Sequence, residues 1–153
     1  MATREALVDA LNLVQAWELT GFIQYTQHGL LLTGPMREVY REFFKDMAKE
    51  AHDHMQEVGD KIVSLGGIPT VEPNDVQQET HLLAMLQADL ELEQKALAAY
   101  MKAWEIAGEY GHKPTVFWLE ERISEEQMHC DDLEKLTRTD SAASVAEGVR
   151  GTG

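Results

Sequence analysis

The chain has 153 residues, 44% of them hydrophobic, which suits one domain with a real core rather than two. Its formal charge of −14 repels nucleic acid and anionic membrane surfaces and attracts cations, so neither kind of partner is expected. No apolar run approaches the roughly 18 residues of a membrane span. No basic-then-apolar leader is visible at the start. The single cysteine, Cys130, excludes an internal disulfide framework and sets the expectation of a cytoplasmic protein.

A helical rhythm opens the chain over roughly 4–32, with an inward stripe of Leu7, Leu11, Val14, Glu18, Phe22, Tyr25 and Leu32. Thr33-Gly34-Pro35 breaks it. The second helix is expected over roughly 36–65, its stripe running Tyr40, Phe44, Met47, Ala51, His54, Val58, Ile62, Leu65. Gly66-Gly67-Ile68-Pro69 and the stretch from Val71 through Pro73 to Gln78 form a longer connection. The third helix is expected over roughly 77–108, with Leu83, Leu86, Leu90, Glu93, Leu97, Tyr100 and Trp104 inward. After the break from Gly108 to Pro114, the fourth occupies roughly 114–138, with Leu119, Ile123, Glu126, His129 or Cys130, Leu133 and Leu136 inward. The domain is expected to span 1–140, followed by a small, polar, flexible tail over 141–153. Four long helices with three breaks specify an all-α, four-helix bundle. The middle connection is long enough to cross the bundle, which makes the second and third helices parallel.

Each stripe is apolar except near its middle, where an ionisable residue stands in a hydrophobic position. A buried carboxylate costs several kcal/mol unless it is paired or bound to a cation. Glu18, Glu93 and Glu126 facing one bundle centre would repel one another, and Lys and Arg are scarce on these stripes. Two divalent cations would remove that cost. Oxygen and imidazole ligands without thiolates suit iron or manganese, with zinc as a further occupant. The pattern for two-metal bundles is one Glu from each of two helices and Glu-x-x-His from each of the others. Glu18 and Glu93 are the single glutamates, and Glu126-Gln127-Met128-His129 is an intact Glu-x-x-His. His54 comes from the second helix, but the residue three before it is Ala51. The nearest carboxylates are Glu50 and Asp53.

These residues together resemble bacterioferritin and the Dps-like mini-ferritins over about residues 5–136. The resemblance is carried by Glu18-Leu19 with Gln24-Tyr25 and His28, by His54, and by Leu65-Gly66-Gly67-Ile68-Pro69. It continues in Asp89-Leu90-Glu91-Leu92-Glu93, Glu125-Glu126-Gln127-Met128-His129 and Leu133-Glu134. It implies a ferritin-like antiparallel bundle with a dinuclear iron ferroxidase centre. Such a centre oxidises Fe(II) with O2 or H2O2 and passes Fe(III) to a mineral core inside a hollow homo-oligomeric shell, a 12-mer or a 24-mer. By position, Glu18 and Glu93 are implied as terminal carboxylate ligands, His54 and His129 as holders of one iron each, and Glu126 as the bridge. Tyr25 is implied as a neighbour that donates a hydrogen bond or an electron.

Three positions depart from the family. Its second bridging glutamate falls on Ala51, so Glu50 reaches in, Asp53 does, or the site has one bridge. The family places the Glu50 position toward the inner cavity, where it would guide iron inward. The haem-binding methionine of bacterioferritin falls on His52, which makes His52 the position for haem, with an exposed, non-ligating histidine as the other reading. The short fifth helix of the 24-mer has no amphipathic counterpart in the tail, which leaves the 12-mer open. Cys130 reads as a packed small hydrophobe. The function expected is Fe(II) oxidation coupled to storage and detoxification. The alternatives are another di-metal carboxylate enzyme (a peroxidase, manganese catalase or oxygenase) or a metal-binding bundle without catalysis.

Overall fold

The first helix starts where a side chain can take over a backbone task. Thr3 caps α1 (Arg4–Leu31) by accepting the amide of Ala6 on its hydroxyl, with Glu5 in the first turn on the positive end of the dipole. At the other end Arg37 closes α1 from outside: its guanidinium donates to the carbonyls of Gly29, Leu30 and Leu32. The computed structural model describes residues 1–138 and continues through α2 (Arg37–Ser64), α3 (Leu82–Tyr110) and α4 (Lys113–Thr137). Among the described residues there is no strand, and no helix is long and apolar enough to cross a membrane. The tail expected over 141–153 lies outside them.

The end of α2 shows why two glycines are needed in a row. Gly66 adopts φ 80°, a left-handed conformation that costs a residue with a Cβ. Its amide donates to Val63 O and that of Gly67 to Ile62 O, both at 2.9 Å, the paired bonds that close a helix C-terminus. A Cβ on Gly67 would lie 2.5 Å from Val8 Cγ1, so the turn sits directly on α1.

Helix directions follow from paired residues. Along α1 from Glu18 to His28, the partners on α3 run backward from Tyr100 through Glu93 to Asp89, so these helices are antiparallel. Short turns make α1–α2 and α3–α4 antiparallel as well, and α2 and α3 are therefore parallel, as the long connection predicted. The all-α four-helix bundle expected from the sequence is the architecture found.

The third helix begins at Leu82 rather than near residue 77. The amides that would have started it earlier are taken by α1 side chains. Asn74 N donates to Thr20 Oγ1 at 2.8 Å, Gln77 N to Gln24 Oε1 at 3.0 Å, and Glu79 N to His28 Nε2 at 3.3 Å. Asn12 likewise accepts Thr70 N and donates to Ile68 O. The crossover is thus an extended strap lashed to a row of polar residues on α1. Behind that row, Gln24 Nε2 and His28 Nδ1 both reach the fully buried Asp89. Because His28 Nε2 accepts from Glu79, its proton sits on Nδ1, facing Asp89.

Two apolar clusters fill the bundle. One holds Leu7, Leu11, Val14, Val58, Ile62 and Leu119, the other Leu32, Phe44, Met85, Leu86 and Leu133. Each large buried side chain contributes about 1.5–3 kcal/mol, and together they offset a polar layer between them. Phe22, Leu83, Trp104 and Leu136, expected inward, are exposed. On α1 the inner face passes through Gly21 and His28 instead, because a 3.6-residue helix drifts away from a strict seven-residue stripe.

Candidate metal centre

The polar layer is built from one turn of each helix. Glu18 projects from α1, His54 from α2, Glu93 from α3, and Glu126 and His129 from α4. All five are at most 9% exposed, so none is an ordinary surface charge. His54 Nδ1 lies 3.3 Å from Glu18 Oε1 and 3.4 Å from Glu126 Oε1. His129 Nδ1 lies 3.9 Å from both Glu93 Oε1 and Glu126 Oε2. Two trios result, Glu18–His54–Glu126 and Glu93–Glu126–His129, each with ligand atoms within 4.8 Å of one another. Glu126 belongs to both and sends one oxygen into each.

Two tyrosines fix the outer carboxylates. Tyr25 donates to Glu93 Oε1 and Tyr100 donates to Glu18 Oε1, both at 2.6 Å. Burial, and then the nearby carboxylates, push both phenols well above their usual range, so they remain donors. Burial likewise raises Glu18 and Glu126, and raises Glu93 well above the usual carboxylate range, with the charge of Glu126 adding to it. His54 is under opposed pressures. Burial pushes its imidazole down, but the hydrogen bonds and charges of Glu126 and Glu18 override this and hold it up at about 11. The layer thus crowds three carboxyl groups around one imidazolium, and burial resists ionising them.

Glu126 Oε2 and His129 Nδ1 are both buried and both lack a hydrogen-bond partner. They face each other 3.9 Å apart. An orphaned carboxylate oxygen opposite an orphaned imidazole nitrogen is a donor set for a cation. The residues present therefore fit a metal pair chemically.

The other positions singled out in the sequence fall around this layer. Ala51 is buried and brings no carboxylate. Glu50 belongs to neither trio; its Oε2 lies 2.6 Å from His129 Nε2, the ring nitrogen turned away from the centre. Asp53 is exposed and pairs with Lys49 at 2.7 Å, which leaves it outside the centre. His52 is half-exposed, 5.5 Å from the Phe22 ring, and lines a groove between α1 and α2. Cys130 is buried, and burial with the charges of Glu93 and Glu126 pushes its thiol up to about 12, so it packs as a neutral side chain.

Tyr100 stood in the sequence only as a core residue, although its seven-residue spacing from Glu93 places it on the same face. Glu125 was not singled out as a site residue: its Oε2 lies 3.0 Å from His54 Nε2 and its Oε1 accepts from Arg122 at 3.2 Å. Its one signal was the i,i+3 spacing from Arg122.

Four helices in this order around a two-trio carboxylate–histidine layer define a class, and the chain belongs to it: the ferritin-like domain family matches residues 8–142. A ferritin-like, diiron-carboxylate protein from Bacillus anthracis superposes with a TM-score of 0.85 at 28% identity, covering 90% of this chain and all of that one. Bacterioferritin from Rhodobacter capsulatus, described with a metal-free dinuclear site and haem iron, superposes at 0.80 with 23% identity over 90% of this chain and 86% of its own. In sequence, a nutrient stress-induced DNA-binding protein from Synechococcus sp. is 25% identical over 124 residues, 74% of this chain and 70% of that protein.

Proposed function

We propose that this protein oxidises Fe(II) at a dinuclear centre held by Glu18, His54, Glu93, Glu126 and His129, and stores the Fe(III) inside a hollow homo-oligomer. The observation that carries this reading is the division of one buried carboxylate, Glu126, between two trios, with an orphaned oxygen facing an orphaned imidazole nitrogen. Iron is the substrate, arriving as Fe(II) with O2 or H2O2 as oxidant. Carboxylate oxygens bind the trivalent ion more strongly than the divalent one, so a layer with three of them favours oxidation. Tyr25 and Tyr100 hold Glu93 and Glu18 in one orientation, which presets both half-sites. Ala51 leaves one side of the centre without a ligand, which keeps room for the oxidant. The formal charge of −14 draws Fe(II) toward the protein.

The test is Fe(II) oxidation by apoprotein, followed at the ferric absorbance, with iron counted per subunit in the native oligomer. Wild type is expected to oxidise Fe(II) well above the buffer rate and to retain many irons per subunit. Glu18→Ala and Glu126→Ala are expected to fall to the buffer rate. Equal rates for wild type, both variants and buffer would end this reading.

A further inference from the structure

The outer nitrogens of the two imidazoles carry a second pattern. α2 and α4 are not among the closely packed helix pairs, and side chains span the seam between them beside the centre. From α4, Glu125 meets His54 Nε2 at 3.0 Å; from α2, Glu50 meets His129 Nε2 at 2.6 Å. Each helix thus lends a histidine to the centre and a glutamate to the other helix's histidine. Glu125 is braced further, because Arg122 bonds it at 3.2 Å and bonds Glu57 at 3.2 Å, while Glu57 also accepts from Trp118. Glu50 and Glu125 are about half-exposed (51% and 41%) and are in neither trio.

A neutral imidazole offers a lone pair on one nitrogen only, and a carboxylate on the other nitrogen decides which. With Glu125 bonded to His54 Nε2 and Glu50 2.6 Å from His129 Nε2, each carboxylate favours a proton on Nε2 once the ring is neutral, as it must be to bind a metal. Nδ1 is then the free donor, and in both rings Nδ1 is the atom that faces the trios.

We infer that Glu50 and Glu125 are positioning residues that clasp His129 and His54 across the α2–α4 seam and present Nδ1 of each ring to the metal pair. This deepens the dinuclear reading above and rests on it. Neither glutamate is a ligand here; each acts through a histidine. The clasp also gives the carboxylate that Ala51 leaves out of the centre a different use one residue earlier, outside the imidazole rather than between the metals.

Cobalt(II) binding to the intact apo-oligomer tests this without any turnover. Visible d–d absorption and calorimetry report the number of ions per subunit, their affinity and their coordination. Wild type is expected to bind two per subunit. Glu125→Ala and Glu50→Ala are each expected to weaken one of the two by roughly 10–100-fold. Glu125→Gln and Glu50→Gln, which keep an oxygen that accepts from Nε2–H, are expected to restore most of that loss. Alanine variants that bind both ions as wild type does would overturn the clasp while leaving the dinuclear centre standing. Glutamine variants as weak as the alanine ones would overturn it too, since charge rather than ring orientation would then matter. Wild type that binds no cobalt pair would bring down the dinuclear reading itself, and the clasp with it.

Discussion

Glu93 shows what the centre costs when no metal is bound. Burial and the neighbouring Glu126 raise its carboxyl well above 4.5, so the folded chain holds that proton more tightly than the unfolded chain does. Stability from this group is therefore full below about pH 4.5 and is lost as pH rises toward the folded value. Glu93→Gln keeps an oxygen for the Tyr25 hydroxyl and removes the titration. Metal-free Glu93→Gln is expected to gain about 1–3 kcal/mol over wild type at neutral pH and nothing at pH 4, measured by denaturant unfolding at both. A variant less stable than wild type at neutral pH would show that the carboxylate is already compensated. The five residues that meet in the polar layer were legible because each interrupts an apolar stripe with a group that cannot be buried alone. Glu50 and Glu125 showed no such interruption. They lie half-exposed beside the stripes, and only the meeting of α2 with α4 gives them a purpose.

Among the elements, the bundle was legible from its punctuation: Gly34-Pro35 and Gly66 to Pro69 fall between helices, while of the third break only Gly111 and His112 lie outside α3 and α4. The start of α3 was not. Residues 77–81 have nothing against a helix locally, and what withholds their amides is a set of acceptors on α1 some 50 residues earlier. His28 is the hinge of that arrangement. It gives its Nδ1 proton to Asp89, whose carboxyl burial pushes up, and accepts Glu79 N on Nε2. His28→Leu removes both bonds while keeping the volume roughly constant, and it leaves Asp89 with Gln24 as its remaining partner. The expected loss is about 2–3 kcal/mol in denaturant unfolding, together with faster amide exchange over 74–79. Protection there equal to wild type would mean that Thr20 and Gln24 hold the crossover without it.

At the level of the whole molecule, the polar layer gathers buried carboxyl groups whose cost a cation would relieve, so the proposed centre links stability to metal loading. A ligand that binds only the folded state at about 100 times its dissociation constant adds about 2.7 kcal/mol, and for a chain of this size each kcal/mol moves Tm by roughly 2–4 °C. Zinc, which has no redox chemistry to confuse a melt, is therefore expected to raise Tm by roughly 5–10 °C. The pH dependence has a definite sign. Burial raises Glu18, Glu93 and Glu126, and their carboxylates hold His54 up at about 11 despite its burial. A metal at the proposed centre would need the deprotonated form of every one of them, so its binding should expel protons and weaken as pH falls. The zinc shift should then be larger at pH 8 than at pH 6 in wild type, and much smaller at both in Glu93→Gln, whose amide cannot supply the anionic ligand. Differential scanning fluorimetry with and without zinc reads all four values. A shift that ignores both pH and the substitution would place the zinc on the acidic surface, where a formal charge of −14 offers many weak sites, and not among the side chains at the centre of the bundle.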